Sequence, residues 1–425
     1  QPIIKAEIPA KAVILLGQHI GAPAKPIVAK GDVVKVGTKI AEPGGFVSAA
    51  IHSSVSGKVA KIDTVIDASG YPKPAIFIDV DGDEWEESID RTETLVRECN
   101  LTSEEIVKKI ANAGIVGLGG ACFPTQVKLC PPPAFKAECV IINAVECEPY
   151  LTADHQLMLE HAEEIMVGVS ILMKAVKVNK AFIGIENNKP DAIQLMAKVA
   201  SSYAGIEVVA LKVQYPQGGE KQLIDAITSR QVASGALPIS TGAVVQNVGT
   251  AFAVYQAVQK NKPLFERVIT VTGKSVAKPS NFLARIGTPM MQLIDACGGL
   301  PEDTGKVIGG GPMMGKALVN TEVPICKGSS GVLIMNDKEA ARAEAQPCIR
   351  CAKCVSVCPM GLEPFLLATL SAHKDWERVE KEDVMSCIEC GSCQFTCPSH
   401  RYLLDYIRLG KGTVGGIIRA RNAKK

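Results

Sequence analysis

The chain has 425 residues, of which 47% are hydrophobic and 21% charged, so it is too long for one ordinary core and too apolar for a disordered chain. Its 46 Lys and Arg residues nearly balance 44 Asp and Glu residues, and only 4% of the chain is aromatic; both facts argue against a nucleic-acid-binding surface. No stretch reaches the roughly 18–20 apolar residues of a membrane span, and the opening residues lack the basic and apolar segments of a signal peptide.

Residues 1–95 are predicted to form a β barrel-sandwich module. Short runs rich in Val and Ile alternate with Gly, Pro and Asp, which is typical of β-strands and turns. The order KGDVVKVGTKIAE then HSSVSGKV resembles the barrel-sandwich fold of lipoyl and biotinyl carriers. Those carriers present a modifiable lysine on a hairpin, whereas the corresponding segment here, residues 43–49, has none. We therefore expect a scaffold and not a carrier.

Residues 96–260 are predicted to form an α/β domain with a parallel sheet. Thr102 and Glu105 have the spacing of a capping box at the start of a helix. The strands CVIINAV, AFIGIE and IEVVALKV then alternate with helical segments, which favours parallel strands covered on both faces.

Four loops of this domain are candidates for a binding site. NAVECEP, IENNK and YPQGGEK each follow a predicted strand, and the carboxyl ends of parallel strands meet at one edge of the sheet. The fourth, GLGGACFPT (117–125), follows a helix, so it does not fit the strand–glycine–helix fingerprint of dinucleotide-binding folds. Alone it could be a tight turn; its expected convergence with the other loops favours a binding function.

Residues 261–338 are predicted to form a small α+β, β-grasp-like domain. The segment RVITVTG reads as a strand, PMMQLIDACGG as a helix, and GVLIM as a further strand.

Residues 339–425 contain the strongest motif. Eight of the fifteen cysteines form two runs, CIRCAKCVSVCP and CIECGSCQFTCP, that repeat the spacing C-x2-C-x2-C-x3-C-P of two-cluster ferredoxins. In that arrangement the fourth cysteine of each run binds the other [4Fe–4S] cluster. One predicted ligand set is Cys348, Cys351, Cys354 and Cys397, and the other is Cys387, Cys390, Cys393 and Cys358. Structural zinc is the alternative, but zinc sites use pairs of cysteines and not four in a tight repeated run.

The remainder of this region predicts a helical ferredoxin-like domain. The segment between the runs is long enough for two helices, and the odd cysteine count without an export signal favours a reducing cytosol over disulfides. The basic tail after residue 401, including Lys424 and Lys425, is either solubilising or a contact for anionic lipid or an acidic partner.

The motifs together resemble a known family. GLGGACFPTQVKL, INAVECEPYLTAD, YPQGGEKQLI and GGGPMMG, ahead of two ferredoxin runs, are similar to the C subunits of Rnf electron-transport complexes, the ion-pumping ferredoxin:NAD+ oxidoreductases. More distantly they resemble the FMN- and NADH-binding subunit of respiratory complex I. This resemblance implies non-covalent FMN and a pocket formed by Gly117, Gly119, Gly120, Phe123, Lys128, Asn143, Glu146, Glu148, Tyr215, Gly219, Glu220 and Asn247.

Four positions depart from the complex I pattern. Leu118 replaces an arginine, Val145 an aspartate, Lys221 a glutamate, and Gly249 the glutamate of the Asn-rich loop. These changes affect the expected flavin and nicotinamide contacts.

The resemblance implies an electron-transfer function in which no side chain acts as the catalyst. NAD(H) exchanges a hydride with FMN, electrons pass singly through two [4Fe–4S] clusters, and Glu146, Glu148 and Glu220 bind ribose hydroxyls or order water. The implied partners are other subunits of a membrane complex and, indirectly, ferredoxin, with the chain peripheral on the cytoplasmic side. A cobalamin reductase of similar layout and a flavin-free electron relay are the alternatives.

Overall fold

A computed structural model describes residues 2–423; the predicted tail contacts through Lys424 and Lys425 lie outside them. No helix within these residues is both long enough and apolar enough to cross a membrane.

The N-terminal module is a barrel of two small sheets around one core. Its core is formed by inward-facing aliphatic side chains such as Ile14, Ile40 and Ile76, all fully buried. The two sheets have the strand orders β2-β8-β7-β4 and β3-β5-β6, and their strands are β2 (Lys11–Leu15), β3 (Lys25–Pro26), β4 (Val33–Val34), β5 (Lys39–Glu42), β6 (Ile51–His52), β7 (Gly57–Ile66) and β8 (Pro72–Val80). The preceding strand β1 (Ile3–Lys5) pairs with neither sheet of the barrel.

The second domain has a four-stranded sheet in the order β11-β10-β9-β12, in which every pairing is parallel as predicted. Its strands are β9 (Cys139–Asn143), β10 (Ala181–Glu186), β11 (Ile206–Leu211) and β12 (Ala243–Asn247). Its helices are α1 (Ser103–Asn112), α2 (Thr125–Lys128), α3 (Ala153–Glu160), α4 (Ala162–Val176), α5 (Pro190–Ala200), α6 (Glu220–Thr228) and α7 (Val248–Gln259), and a 3-10 turn covers Pro238–Thr241.

The sheet is buried on both faces, which explains why β9 is a continuous apolar run and not an alternating one. Val140 and Ile142 pack into the core shared with α1, α4 and α7, whereas Ile141 packs against α6. Helix α1 begins with the predicted capping box, since Thr102 Oγ1 accepts from the Glu105 N–H and Glu105 accepts from the Thr102 N–H.

The third domain is a mixed sheet with one covering helix. Strand β1 joins it, pairing in parallel with β14, so the first residues of the chain leave the barrel and complete a distant sheet. The strand order is β1-β14-β13-β17-β15-β16. The elements are β13 (Glu266–Thr272), β14 (Ser280–Arg285), α8 (Met290–Ala296), β15 (Thr304–Gly309), β16 (Lys316–Ala317), β17 (Gly331–Asn336) and the short α9 (Asp337–Ala340).

The C-terminal domain is helical, as the length of the segment between the cysteine runs predicts. Its elements are α10 (Lys353–Ser356), α11 (Pro364–Ala372), α12 (Trp376–Lys381), a 3-10 turn at Val384–Ser386, α13 (Ser392–Phe395) and α14 (Leu403–Asn422). Helices α10 and α13 occupy equivalent positions of the two cysteine runs and contact each other. Helix α14 packs along α11 and α12, and Leu367, Val379, Ile407 and Val414 form the core between them.

Candidate functional site

The glycine loop is a hairpin whose base is closed by hydrogen bonds and whose tip is exposed to solvent. The Gly117 N–H donates to the Phe123 carbonyl at 2.9 Å, and Val116 bridges Pro124. Behind the tip, the Leu118 N–H donates to Thr250 Oγ1 at 2.9 Å. Residues 119–121 are exposed, and Gly120 has a φ of +116°, which other residues rarely adopt. The result is an anchored loop that presents bare backbone.

The loop lies against the carboxyl edge of the sheet. A Cβ at Gly119 would lie 3.3 Å from the Cβ of Asn247, at the end of β12. Asn247 donates to Asp154 at 2.7 Å and caps α7 by accepting from the Gly249 N–H. At the end of β9, Asn143 donates to the Gly218 carbonyl at 2.8 Å. The strand ends thus bring three of the predicted loops together.

A lysine and a glutamate form an ion pair at this edge. Lys128 ends the short helix that follows the glycine loop, and its Nζ lies 2.5 Å from Glu220 and 3.1 Å from the Val245 carbonyl. Both side chains are partly exposed. Lys128 and Glu220 are therefore neighbours beside β12 and remain partly exposed.

The two glutamates of the acidic loop hold backbone groups. Glu146 accepts from the N–H groups of Asp154 and His155 at 2.8 and 3.0 Å, at the start of α3. Glu148 accepts from the Met313 and Met314 N–H groups at 3.1 and 2.7 Å, in the third domain. Each carboxylate keeps further acceptor capacity, so their binding of ribose hydroxyls stays a prediction.

Burial sets the charge state of this loop. It raises the pKa of Glu146 to about 8. The negative charge of Asp154 adds to this rise, and the hydrogen bonds from the Asp154 and His155 N–H groups oppose it. Burial also raises the pKa of Glu148, opposed by the Met313 and Met314 N–H groups.

Gln246 is a candidate site residue that no sequence motif indicates. It precedes Asn247 in VVQNVGT, is buried, and its Nε2 has no hydrogen-bond partner within residues 2–423. A buried donor without a partner is costly, so this amide fits an acceptor on a ligand. The bare backbone of the glycine loop and the Lys128 ammonium are groups that suit a phosphate-bearing heteroaromatic ligand such as FMN, and Gln246 lies one residue before Asn247, which contacts that loop.

A second site is a cavity in the C-terminal domain. Four cysteines line it, Cys358 from the first run and Cys387, Cys390 and Cys393 from the second. Apolar side chains, among them Leu367 and Ile407, form its other walls. These four cysteines are the crossed set that the repeat predicts for one [4Fe–4S] cluster, and their role as its ligands stays a prediction.

The other four cysteines lie toward the surface. Cys348 and Cys351 are exposed, and Cys354 and Cys397 are partly buried. Burial, and to a lesser degree the neighbouring Cys397 thiol, raises the pKa of Cys354, so these two cysteines of different runs lie close together.

The buried cavity adjoins the α/β domain. The Tyr215 hydroxyl donates to the Cys390 carbonyl at 2.7 Å, and Gln222 Nε2 lies 3.3 Å from the Pro359 carbonyl. Both come from the segment that contains Gly219 and Glu220. The cavity therefore lies beside the segment of the α/β domain that contains Gly219 and Glu220.

Comparison with known proteins matches four domain families along the chain. They are the RnfC barrel sandwich hybrid domain (residues 1–83), the Nuo51 FMN-binding domain (residues 110–256), the SLBB domain (residues 268–317) and the 4Fe-4S dicluster domain (residues 347–401).

Relatives match over nearly the whole chain. The C subunit of the Na(+)-translocating ferredoxin:NAD(+) oxidoreductase complex of Acetobacterium woodii is 46% identical over 95% of this chain and 90% of its own length. The C subunit of the proton-translocating ferredoxin:NAD(+) oxidoreductase complex of Clostridium ljungdahlii is 47% identical over 96% of this chain and 89% of its own. Among solved structures, the NAD+-reducing [NiFe]-hydrogenase in its air-oxidized state shares the fold, with a TM-score of 0.53 and 17% identity over 73% of this chain and 66% of that chain.

Together these features define a flavin and iron–sulfur protein of the electron-transfer class, with an FMN-binding domain and a 4Fe–4S dicluster domain. The chain belongs to the RnfC family, the C subunits of ion-translocating oxidoreductase complexes.

Proposed function

We propose that this chain exchanges electrons between NAD(H) and two [4Fe–4S] clusters, as the electron-input or electron-output subunit of an Rnf-type ferredoxin:NAD+ oxidoreductase. The observation that carries the proposal is the contact of Tyr215 with Cys390, which joins the edge of the glycine-loop domain to the cysteine-lined cavity. Bound FMN would supply the conversion between hydride transfer and single-electron transfer.

The protein would position the flavin mainly through backbone and neutral side chains. Residues 117–120 permit close approach, and Gln246 would offer an amide that has no partner within residues 2–423. Asn143 and Asn247 would hold the surrounding loops in place through their hydrogen bonds to Gly218 and Asp154. Lys128 would offset phosphate charge, with Glu220 beside it for a ribose hydroxyl. Phe123 closes the hairpin through its carbonyl.

The cluster nearer the flavin would be held by Cys358, Cys387, Cys390 and Cys393, which line the enclosed cavity. The set Cys348, Cys351, Cys354 and Cys397, with two exposed members, would hold the cluster that meets a partner subunit. Electrons from the flavin would thus first reach the cluster held mainly by the second cysteine run. They would then pass to the cluster held mainly by the first run.

In the complex, this chain would be a peripheral subunit on the cytoplasmic side of the membrane. Ferredoxin would communicate with it indirectly through other subunits, which would also carry the ion pathway.

The test is anaerobic purification of the chain, with measurement of released flavin, iron and sulfide, and NADH:viologen activity. About eight irons per chain, non-covalent FMN and NADH-dependent reduction support the proposal. Iron without flavin, even after incubation with FMN, would make the chain an electron relay, and corrinoid reduction without NAD+ reduction in the assembled complex would make it a cobalamin reductase.

A matched pair of variants ties the activity to the glycine loop. Gly119→Val places a side chain against Asn247, so we expect loss of FMN with the clusters retained. Gly412→Ala, where an added Cβ meets nothing within 4 Å, should keep both cofactors.

A further inference from the structure

An arginine from the third domain lies directly behind the glycine loop. Arg267 lies in strand β13, and its Nη2 is 3.4 Å from the Leu118 carbonyl. Its Nη1 donates to the Lys327 carbonyl, and its Nε lies 3.3 Å from the Val268 carbonyl. Only 6% of Arg267 is exposed. The guanidinium is therefore held by carbonyls, one of which belongs to the loop.

This buried charge has no carboxylate partner. Within residues 2–423 Arg267 makes no salt bridge, although the adjacent Glu266 pairs with both Lys262 and Arg285. Three acidic groups act on Arg267 through space, namely Cys122, Asp154 and Cys326. Burial raises the pKa of Cys122 to about 12, and it also raises the pKa of Asp154, which is hydrogen-bonded to Asn247. A guanidinium stays protonated when buried, so the positive charge behind the loop is only weakly offset.

A buried lysine, charged only in part near neutral pH, lies beside it. Lys327 is fully buried, and its Nζ donates to the Ala50 and Gly114 carbonyls, both at 2.7 Å. These carbonyls belong to the barrel and to the turn that leads into the glycine loop. Burial lowers the pKa of Lys327 to about 7. Buried cations without counter-ions are costly to the folded protein, and an anionic ligand at the loop would offset that cost.

We propose that Arg267, supported by Lys327, is a positioning residue that stabilises negative charge on a flavin bound at the glycine loop and so raises its reduction potential. This rests on the proposed function. A hydride from NADH, which carries two electrons and one proton, would leave reduced flavin with one negative charge, and the fixed Arg267 cation in a low-dielectric site would favour that charge. The third domain is thereby part of the flavin site.

The test is a redox titration of FMN bound to the full chain, followed by flavin absorbance. In Arg267→Gln we expect the affinity for reduced flavin to fall at least tenfold relative to the affinity for oxidised flavin. For a two-electron couple, a tenfold fall shifts the reduction potential by about 30 mV to a more negative value. Arg267→Lys keeps the charge and should keep most of the wild-type potential. The control is Arg285→Gln, whose charge is already paired with Glu266 and Asp83, and its potential should match the wild type.

Two outcomes overturn the inference. The first is a wild-type potential in Arg267→Gln with FMN bound; the second is an equal shift in Arg267→Lys, which would assign the effect to loop geometry and not to charge. If Arg267→Gln does not fold, Lys327→Gln takes its place, and an unchanged potential there also overturns it. Absence of FMN from the wild type would instead refute the proposed function.

Discussion

The hydroxyl of Tyr215 donates a hydrogen bond of 2.7 Å to the backbone carbonyl of Cys390. This contact joins the loop that follows β11 to the second cysteine run, across two domains. The next residue, Gly391, is equally constrained, because a Cβ there would lie 3.0 Å from the Met313 carbonyl. The second run is thus held by both the flavin-binding and the SLBB domains, which fixes its cavity beside the sheet edge.

Replacing Tyr215 with phenylalanine should slow electron transfer between flavin and clusters without removing either. The lost hydrogen bond stabilises the protein by about 1 kcal/mol, so the domains should stay docked but less rigidly. Rapid-mixing absorbance separates flavin reduction by NADH from cluster reduction, and only the second step should slow. Tyr203→Phe removes a comparable hydrogen bond, to Glu163, far from the clusters and serves as control. Unchanged cluster reduction in Tyr215→Phe would refute this role.

The crossed ligand sets can be tested by removing the last cysteine of each run. Cys358→Ser should impair the cluster of the second run and Cys397→Ser that of the first, each lowering iron by about half. Electron paramagnetic resonance of the reduced protein should show which cluster is altered. The exposed Cys130 belongs to neither run, so Cys130→Ser is the control. The opposite result, in which Cys358→Ser and Cys351→Ser alter the same cluster signal, would exclude crossing.

An apolar and basic surface surrounds the exposed cysteines. Phe395 is 82% exposed and Ile349 67% exposed, and residues 345–362 contain Arg350 and Lys353 but no acidic residue. We expect Phe395→Glu to weaken electron transfer to the partner subunit about tenfold or more, as for other buried aromatic contacts, and to leave NADH:viologen activity unchanged. Val319→Glu introduces the same charge at an exposed apolar position of the third domain and should have no effect. Equal loss in both variants would argue against a specific surface.

Gln246 offers a test of the flavin-binding amides. Its Nε2 has no partner within the described residues, so Gln246→Leu should not lower the melting temperature of the flavin-free protein. If the amide binds FMN, the same variant should weaken FMN affinity by about 1–2 kcal/mol, or roughly tenfold. Thr288→Val removes another buried, unpaired polar group, outside the loop, and should leave FMN affinity unchanged. An unchanged affinity in Gln246→Leu would remove this residue from the site.

The sequence predicts those features that depend on local pattern. The apolar run at Cys139–Asn143 predicts a strand buried on both faces, and the sheet is parallel. The repeated cysteine spacing predicts a dicluster domain, and the chain matches one. Both patterns depend on the spacing of residues that lie close together in the sequence.

The features that the sequence did not predict depend on contacts between segments that lie far apart in the chain. Strand β1 completes a sheet through residues 280–285, and Glu148 holds a loop of the third domain through Met313 and Met314. Arg267 lies in RVITVT, where an isolated arginine would ordinarily be expected to face solvent. Its burial follows from the way three domains meet, and no periodicity within one segment encodes that arrangement.

The pH dependence of stability should reveal the charge state of Glu146. Its pKa is raised from 4.5 to about 8 by burial and by Asp154, so the folded protein holds this proton more tightly than the unfolded chain. That contribution to stability is fully present below pH 4.5 and is lost as the pH rises through about 8. Glu146→Gln cannot titrate, and its melting temperature should therefore fall less than that of the wild type between about pH 6 and 8.5.

The control for this experiment is Glu104→Gln. The pKa of Glu104 is lowered by its hydrogen bond to Lys177, so its carboxylate is already ionised across this pH range and its removal should leave the slope unchanged. Parallel melting curves for Glu146→Gln and the wild type would show that Glu146 is ionised throughout. In that case the hydrogen bonds from the Asp154 and His155 N–H groups would lower the pKa of Glu146 more than burial raises it. The acidic loop would then present a full negative charge beside a bound flavin.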